Sequence, residues 1–500
     1  MPKRPPLKPG EVFAMPHPRG VWGASQVLQV STKGVVAVVL DHVSDQRPTL
    51  DAVAARPLTC RSRVGADEVA LYGVVGDLPP DYLSLGVRDA VPLDDLNPRV
   101  FAAWEALRDD AYDDQRWRQL PESAREAYQR GAASTERVTL NLPSGPRSVE
   151  RRAHALHLTF GNAASTPASQ HAGDAHGFDW HMLDALPCLM SITVDGDVAG
   201  FEAWLATRPM VSTVAWGSFA AETVDLRDTR LTHCELRPTG LATLRLPPSL
   251  DALTLGLDGQ RPVTVEALDD GAAIELRAEL SGRDDLGALR GLRAVHTLTV
   301  AGFAALDLAQ VAAFERVRAL TLQGAPGRLR SSDALARLRA LRALYLTGCV
   351  DVDVARLPAL SAFPALQEVR TWGLHERDAA ALAARWGKDR RVKMKAPIDD
   401  VELFATADYP LRRWPDGQRK GMACSGYVAA AKQIMKGELT EAAGVKALRA
   451  YVTGVERAVK HFGALTAAER ADVETSWARL VARAQERAPG ASFAAVKRAW

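Results

Sequence analysis

The clearest pattern along the chain is an alternation of apolar and polar residues that recurs four times in its second half. Each copy follows L-x-x-L-x-L-x-G, with other residues replacing some leucines, and the copies occupy residues 295–302, 317–324, 341–348 and 366–373. Alternation with a period of two is typical of a β-strand with one buried face. Apolar residues at every third position precede each copy and indicate a helical or 3₁₀ segment. The pattern therefore predicts a repeated unit of one strand and one helical segment.

Further copies extend the repeat towards the N-terminus. Two clear copies occupy residues 189–196 and 211–217, and two looser ones occupy 241–246 and 250–255. The unit resembles that of leucine-rich repeat proteins, whose strands and helical segments stack into a solenoid. The slot that usually holds Asn or Cys in that family is occupied, in the four clear C-terminal copies, by Phe303, Ala325, Cys349 and Leu374. We therefore expect an irregular solenoid over residues 150–395. An ordinary α/β domain with leucine-rich helices is the alternative.

The regions on either side of the repeats have different patterns. Short runs rich in β-branched residues predict a small β-rich domain over residues 8–132, with helices after residue 100. In residues 400–500 the apolar residues have helical spacing, and Thr466-Ala-Ala-Glu469 is a capping box. We therefore predict a multidomain α/β protein: a β-rich N-terminal domain, an irregular repeat solenoid and an α-helical C-terminal cap.

The first strands also resemble a known family. Residues 9–16 read PGEVFAMP, residues 20–28 read GVWGASQVL, and an apolar strand follows at 35–40. These segments resemble the opening strands and the Gly-rich hairpin of the immunity protein 26 family. The resemblance covers roughly residues 8–120. It implies a bacterial protein that binds and neutralises a toxin of a polymorphic toxin system, and it implies no catalytic residues.

Composition and charge narrow the classes of function. The chain has 62 basic and 60 acidic residues and a net charge of +2, so no overall positive field draws it to nucleic acid or anionic membranes. Its five cysteines have neither a zinc-ligand spacing nor a disulfide framework, which fits a reducing cytoplasm. No apolar run approaches the length that crosses a bilayer, and no signal peptide is recognisable. We therefore expect a cytoplasmic protein without cofactor, membrane or nucleic-acid partner.

The repeat itself predicts where a protein partner would bind. Because the leucines of each strand point inward, the residues between them point to the open face of the sheet. They form two columns, one of Thr299, Thr321, Tyr345 and Arg370 and the other of Ala301, Gln323, Thr347 and Trp372. Tyr, Trp and Arg are enriched in binding hot spots. The predicted partner-binding residues are therefore Tyr345, Arg370, Trp372, Gln323, Arg318 and Arg342. The alternative is that the first three pack beneath the C-terminal helices.

One segment carries enough polar side chains for a metal site. It contains three imidazoles and two carboxylates, from His171, Asp174, His176, Asp179 and His181. These are usual ligands of divalent metals, but no known metal motif is present, and the intervening Gly and Ala residues favour an exposed loop. The chain also lacks the G-x-S-x-G, Walker and G-x-G-x-x-G motifs of hydrolases and nucleotide-binding enzymes.

A local basic zone near the predicted end of the repeats comprises residues 388–395 with Arg412, Arg413, Arg419 and Lys420, and Trp386 and Trp414 flank it. Such a zone can bind nucleic acid, but a polar cap that ends a solenoid is the more usual reason for it. The sequence favours a non-enzyme, a bacterial immunity protein that occludes the active surface of a cognate toxin. A scaffold or sensor that binds another protein through its repeats is one alternative. A metal-dependent hydrolase that uses the 171–181 loop is the other.

Overall fold

The chain folds into two compact units. The computed structural model describes residues 6–31, 34–60, 68–98, 100–142, 145–160, 178–257, 261–280, 285–387, 389–406, 409–414, 417–493 and 496–498. The first unit comprises Met1–Ala215 and Asp228–His233, and the second comprises Trp216–Arg227 and Cys234–Trp500. The fold is mixed α/β, with a β-rich N-terminal region and helices at the C-terminus, as the sequence predicts.

In its described residues, the first unit consists of strands with three α-helices between them. Its strands are β1 (Glu11–Pro16), β2 (Trp22–Ser31), β3 (Gly34–Ser44), β4 (Thr59–Cys60), β5 (Glu68–Val69), β6 (Leu71–Val75), β7 (Leu83–Val87), β8 (Val100–Ala103), β9 (Arg137–Leu142), β10 (Gly145–Glu150), β11 (Ala155–Thr159) and β12 (Ser191–Asp195). Its helices are α1 (Trp104–Arg118), α2 (Glu122–Ala132) and α3 (Phe201–Ala206). Strand β13 (Thr213–Phe219) carries the chain from the first unit into the second.

A six-stranded sheet forms the N-terminal part of the first unit, in the order β7-β1-β2-β3-β6-β8. Its strands pair antiparallel except at one edge, where β8 lies parallel to β6. Helix α1 packs on this sheet because Trp104, Leu107 and Ala111 share one side of the helix and are buried with Phe13 and Tyr72 of the strands. The predicted β-rich region and the helices after residue 100 are therefore present.

The remainder of the first unit contains the first copy of the repeat. The copy at residues 189–196 coincides with β12, in which Ile192 and Val194 are buried, and β12 pairs in parallel with β11. Helix α2 contributes Tyr128, which packs edge-on against Trp117 of α1 and is buried with Cys188. The alternation of the copy therefore marks a strand with one buried face, as predicted.

The second unit contains the copies of the repeat from residue 241 onwards and the C-terminal helices, whereas the copy at residues 211–217 lies in β13 at the boundary of the two units. Its further strands are β14 (Thr223–Asp225), β15 (His233–Pro238), β16 (Thr243–Arg245), β17 (Ala252–Leu257), β18 (Val263–Glu266), β19 (Glu275–Leu280), β20 (Leu289–Arg290), β21 (Thr297–Asp307), β22 (Ala319–Arg330), β23 (Ala343–Val350), β24 (Glu368–Trp372) and β25 (Val392–Lys395). Its helices are α4 (Leu308–Val311), α5 (Glu376–Trp386), α6 (Asp400–Thr406), α7 (Gln418–Met435), α8 (Glu441–Phe462) and α9 (Ala467–Arg487).

From β14 to β21 the chain alternates between two sheets. Strands β15, β17, β19 and β21 are neighbours in the larger sheet, while β14, β16, β18 and β20 form a smaller, four-stranded parallel sheet. The two looser copies of the repeat are therefore not equivalent, because residues 241–246 contain β16 of the smaller sheet and residues 250–255 lie in β17 of the larger one. Both strands bury alternate leucines, such as Leu244 and Leu253, so the alternation alone cannot tell the two sheets apart.

Beyond β21 the larger sheet continues in chain order through β22, β23, β24 and β25, all parallel. The four clear copies of the repeat coincide with β21 to β24, as predicted. Helical or 3₁₀ turns precede β22, β23 and β24, as predicted, and Leu308, Val311 and Phe314 before β22 are fully buried. Before β21 the prediction is wrong for Leu289, which lies in β20, a strand of the smaller sheet. The closing glycines Gly302 and Gly348 have φ angles of 75° and 59°. A Cβ at either position would lie within 3 Å of a backbone oxygen on the preceding strand of the sheet, which explains the glycine of the motif.

Helices α7, α8 and α9 enclose a core of their own. Tyr427, Leu448, Tyr451 and Leu480 are fully buried in a cluster drawn from residues 405–496. The predicted capping box begins α9, since the backbone N–H of Glu469 donates to Thr466 Oγ1 at 3.2 Å and that of Thr466 donates to Glu469 Oε2 at 2.8 Å. The predicted C-terminal helices are therefore present. Within the described ranges, no helix combines the length and the apolar character needed to span a membrane.

Candidate functional site

Strand register aligns the predicted columns on one face of the larger sheet, which we call the open face. It pairs Thr299 with Thr321, Thr321 with Tyr345, and Tyr345 with Arg370. The second column aligns in the same way, in the order Ala301, Gln323, Thr347 and Trp372. The first column continues to Arg277 on β19 and to Lys393 on β25. The predicted alignment is confirmed, while the binding of a partner by these residues stays a prediction.

Burial alternates along the strands of the open face. Leu344 and Leu346 are at most 2% exposed, whereas Tyr345 between them is half-buried. On the neighbouring strand, Trp372 is 57% exposed and the side chain of Arg370 is 55% exposed. The alternative that these residues pack beneath the C-terminal helices is therefore wrong for Arg370 and Trp372.

At the C-terminal end of the open face, the Glu368 carboxylate accepts hydrogen bonds from three neighbouring side chains. Its Oε1 accepts hydrogen bonds from Arg370 Nε at 2.8 Å and from Lys393 Nζ at 2.9 Å, and its Oε2 accepts one from the Tyr345 hydroxyl at 3.2 Å. The Arg370 guanidinium also lies 5.8 Å from the centre of the Tyr345 ring, in cation–π range. These four residues and the adjacent Trp372 form what we call the Trp372 patch.

The contacts within the Trp372 patch set its charge. Burial alone would raise the pKa of the Glu368 carboxyl, but hydrogen bonds from Lys393, Arg370 and Tyr345 outweigh it and hold this pKa below its ordinary value. Burial and the hydrogen bond to Glu368 raise the pKa of the Tyr345 phenol. Near neutral pH Glu368 is therefore ionised and Tyr345 protonated. The two cations, Arg370 and Lys393, outnumber the one carboxylate.

Charges at the other end of the open face neutralise one another. Arg237 lies 3.0 Å from Glu235 and 3.2 Å from Glu279. Arg277 Nε donates to Glu279 at 3.0 Å, and Arg277 Nη1 donates to Gln323 Oε1 at 2.9 Å. We call these five residues the Glu279 network. The predicted partner-binding residue Gln323 is thus engaged by a side chain of the same molecule.

Arg318 and Arg342 lie at the edge of the open face, each one residue before its strand. The backbone N–H of Arg342 donates to the Arg318 carbonyl at 2.7 Å, and that of Gln367 donates to the Arg342 carbonyl at 2.8 Å. These bonds extend the parallel ladder by one residue and set the two arginines side by side on neighbouring strands. Both side chains are exposed, and neither makes an ion pair within the part of the chain that the structure describes.

Sequence reasoning missed the acidic centres of both polar clusters. Glu368 lies two residues before Arg370 on the same strand and Glu279 two residues after Arg277, so period-two alternation puts each pair on the same face. Lys393 follows from extending the repeat to the Val-Lys-Met-Lys alternation of β25. The signal was present in each case, but a search for aromatic and Arg hot spots does not look for the carboxylate between them.

The proposed metal loop falls mainly outside the described residues, which exclude His171, Asp174 and His176. His181 is exposed, and its Nδ1 lies 3.2 Å from Asp184 Oδ2. Asp179 accepts a hydrogen bond from the backbone N–H of His181 at 3.0 Å and so caps the turn that follows. No group of three or more metal-ligating side chains comes together among the residues whose positions are described. A metal-dependent hydrolase at this loop stays an untested hypothesis.

The basic zone is partly neutralised in its described residues, and its Arg419 lies 3.1 Å from Glu469. Arg391 lies 2.7 Å from Asp389, and Lys393 is bound to Glu368. The flanking Trp386 and Trp414 are 2% and 5% exposed, so neither ring offers a face on which a base could stack. This arrangement favours a structural role for the two tryptophans over nucleic-acid binding.

The cysteines of the larger sheet lie in its interior. Cys234 and Cys349 are at most 3% exposed, and burial raises the pKa of each thiol to about 12. Cys349 Sγ lies 3.6 Å from the Leu322 carbonyl oxygen, in the slot that the repeat pattern predicts to be buried. Because only the thiolate is a good nucleophile, neither thiol is suited to covalent chemistry near neutral pH.

No protein-family model matches the chain, and no curated protein is similar enough to it to count as a relative. The resemblances to immunity protein 26 and to leucine-rich repeat proteins therefore remain resemblances of short motifs. The geometry of the open face is the better guide to function.

Proposed function

We propose that this chain is a non-catalytic protein-binding protein whose contact surface is the open face, with the Trp372 patch as its hot spot. We also propose that residues 150–395 form an irregular leucine-rich repeat solenoid. The parallel strands with buried alternate leucines and the helical turns that precede β22, β23 and β24 support this classification. The irregularity has a physical source, because between β14 and β20 the chain forms strands of a second, smaller sheet between successive strands of the larger one.

The exposed indole of Trp372 is the observation that carries the proposal. A tryptophan left 57% exposed keeps a large apolar area in contact with water, and burying it against a partner recovers that area at roughly 25 cal/mol per Å². Arg370 and Tyr345 lie beside it in a fixed arrangement, held by Glu368. Residues that are already ordered lose little conformational entropy on binding, so they suit a hot spot.

The extent of the open face also suits a protein partner. In the second unit the open face comprises eight strands: β15, β17, β19, β21, β22, β23, β24 and β25. At a spacing of about 4.8 Å they span about 34 Å, and with about 17 Å of exposed length each they present roughly 570 Å². A stable interface of standard size covers about 800 Å² on each partner. The open face therefore supplies most of such a contact, and the exposed residues at its edges can supply the remainder.

We further propose that the partner is a bacterial toxin and that the protein acts in the cytoplasm as its immunity protein. The resemblance of residues 9–16 and 20–28 to the immunity protein 26 family supports this biological role. The mechanism is occlusion, in which a rigid surface covers the active face of the toxin without chemistry. A scaffold or sensor would use the same open face, so the two roles differ only in the identity of the partner.

A mutational comparison of exposed aromatic residues tests the binding surface. The partner is captured from the native host with the tagged full-length chain and identified by mass spectrometry, and its affinity for variants is then measured. We expect Trp372→Ala to weaken binding about thirtyfold or more, as hot-spot truncations do. The matched control is Phe101→Ala on the N-terminal sheet, which removes an aromatic ring that is 71% exposed and should leave affinity within about twofold.

Two results would discard parts of this proposal. If Trp372→Ala and Tyr345→Ala bound the partner with unchanged affinity and had native circular dichroism, the Trp372 patch would be excluded as the contact. If Phe101→Ala lost affinity, the contact would lie on the N-terminal sheet instead. Co-expression with the captured partner tests the immunity role. If the partner is a toxin, the wild-type chain should rescue growth and Trp372→Ala should not. A partner that is harmless to cells favours the scaffold.

A further inference from the structure

Four exposed arginines lie together where the chain enters β22 and β23. They are Arg316 and Arg318 before β22 and Arg339 and Arg342 before β23, and we call them the arginine ridge. Parallel pairing sets the two entering segments side by side, with the Arg342 N–H donating to the Arg318 carbonyl at 2.7 Å. The ridge therefore combines two segments that the fold brings side by side and is not a single basic stretch of sequence.

No carboxylate within the described ranges forms an ion pair with any member of the arginine ridge. The nearby acids along the chain are engaged elsewhere, since Glu315 pairs with Arg337 at 3.1 Å and Asp333 with Arg356 at 2.8 Å. Other exposed arginines of the second unit, such as Arg237 and Arg377, contact two acids each. Like charges on neighbouring segments repel one another weakly in water, so an anionic ligand that binds between them relieves this repulsion.

The neighbouring His296 responds to this uncompensated charge. Burial lowers the pKa of its imidazole, and the positive charges of Arg318 and Arg316 lower it further. His296 belongs to the same edge of the sheet, because the Arg318 N–H donates to its carbonyl at 2.7 Å. A positive potential that disfavours a proton on one side chain attracts carboxylates of a binding partner.

We propose that the arginine ridge binds an acidic, extended segment of the protein partner, placing the partner's apolar residues over Trp372. This inference rests on the proposed function, since it names the chemistry of the partner at the same surface. Guanidinium groups are suited to the task because each can donate two parallel hydrogen bonds to one carboxylate. Arg318 and Arg342, two residues that the sequence pattern assigns to partner binding, thus gain a defined ligand.

The spacing of the ridge predicts the spacing of the acids. Neighbouring strands are about 4.8 Å apart, and alternate side chains of an extended peptide are about 7 Å apart on one side. Long, flexible arginine side chains can accommodate the difference. Acidic residues at positions i and i+2 of an extended segment should therefore bind one arginine from each strand, whereas acids that are adjacent in sequence point to opposite sides.

A protein segment fits this surface better than a nucleic acid does. Away from the ridge, cations of the open face are paired with carboxylates, such as Arg277 with Glu279 and Arg370 with Glu368, so they offer little to a continuous phosphate backbone. The chain as a whole has a net charge of only +2. An acidic peptide can place its carboxylates on the ridge and uncharged residues elsewhere, which a polynucleotide cannot do.

Peptide binding to the full-length chain tests the proposal without knowledge of the partner. The probe is a short fluorescein-labelled peptide in which glutamate alternates with serine, and binding is followed by fluorescence anisotropy at about 50 mM salt, where screening is weak. Arg342→Glu should weaken binding about five- to tenfold, and Arg318→Glu should do the same. The matched control is Arg330→Glu at the opposite end of β22, an exposed arginine whose reversal changes the net charge equally and should leave affinity within about twofold.

Several outcomes overturn the inference. One is no binding of the alternating peptide, another is equal binding of its glutamine counterpart, and a third is equal weakening by Arg330→Glu and Arg342→Glu. Tighter binding of single-stranded oligothymidylate than of the acidic peptide would assign the ridge to nucleic acid instead. All variants are checked for native circular dichroism, and Arg342→Gln serves as a milder substitution that should weaken binding less than the reversal.

The captured partner separates this inference from the proposed function. If Trp372→Ala weakens the complex and the double variant Arg318→Glu/Arg342→Glu does not, the open face binds a partner but the acidic segment is wrong. If the double variant weakens the complex and Trp372→Ala does not, the ridge binds and the Trp372 patch is not the hot spot. Weakening by both supports both proposals.

Discussion

The two ends of the open face use charged residues in opposite ways. At the β15–β19 end, the Glu279 network balances its arginines with carboxylates and an amide from strands as far apart as β15 and β22. At the β22–β25 end, Glu368 binds two cations, Trp372 is exposed, and the arginine ridge has no described counter-charge. At the first end, the charges of the Glu279 network are balanced within the molecule. At the second end, the apolar surface of Trp372 and the positive charge of the arginine ridge remain exposed for a partner to contact.

The interior of the sheet does not share this difference. Leu253 and Leu255 of β17 are buried as completely as Leu344 and Leu346 of β23, although the smaller sheet accompanies the first strand and helical turns accompany the second. The repeat thus imposes one interior on both ends and leaves the residues between the leucines free to vary. Function in such a fold is therefore read from the variable positions.

The largest expected effect comes from the shared interior. Leu255→Ala and Leu346→Ala should each lower the free energy of unfolding by about 2–5 kcal/mol, because each removes a buried side chain and leaves a cavity. The open-face substitutions Thr254→Ala and Thr347→Ala should each cost about 1 kcal/mol or less. Urea unfolding followed by circular dichroism measures all four. If one leucine substitution lowered the free energy of unfolding several times more than the other, the two ends would not have equivalent interiors.

The fold could be predicted from the sequence wherever burial of every second side chain produces a regular alternation of apolar and polar residues. The alternation of Leu298-Thr299-Val300 and its three later counterparts determines strands, inward residues and even the columns of the open face. The same reasoning could not separate β16 from β17, because two parallel sheets that bury alternate leucines impose an identical pattern. Which sheet a strand joins depends on the path of the chain between strands, which the alternation does not encode.

The candidate site could be predicted only in part for a related reason. Tyr345, Arg370 and Trp372 were found because their residue types are enriched in interfaces and their positions follow from the repeat. The role of Gln323 as an acceptor for Arg277 could not be found, because that contact joins β19 to β22 across the small Ala301 of β21. A hydrogen bond between strands that are not neighbours depends on side-chain reach, which no local pattern records.

A smaller effect, on peptide affinity, is expected when the central carboxylate of either cluster is removed, Glu368 in the Trp372 patch or Glu279 in the Glu279 network. Glu368→Gln should tighten binding of the alternating acidic peptide about two- to fivefold, because it frees Arg370 and Lys393 beside the ridge. Glu279→Gln should change affinity by less than about twofold, since β19 lies about 10–14 Å from the ridge strands and two unit charges at that distance in water interact by only about 0.3–0.4 kcal/mol. Fluorescence anisotropy compares the two. Equal gains would mean that net charge, and not the position of the freed cations, governs binding.

The smallest expected effect is the dependence of stability on pH, and it again separates two regions. Burial raises the pKa of Glu368, but hydrogen bonds from Lys393 and Arg370 outweigh burial, so this pKa is lower in the folded state than in the unfolded state. The stability that the ionised Glu368 contributes is therefore complete above the unfolded-state pKa and disappears as the pH falls through the folded-state pKa. The difference in unfolding free energy between wild type and Glu368→Gln should therefore be constant near neutral pH, stay below about 1 kcal/mol and shrink under acid conditions. Asp225 on the smaller sheet is the control, since hydrogen bonds from Arg227 lower its pKa to about 2. The difference between wild type and Asp225→Asn should persist to lower pH than that for Glu368→Gln, and the reverse order would contradict the charge assignments of both regions.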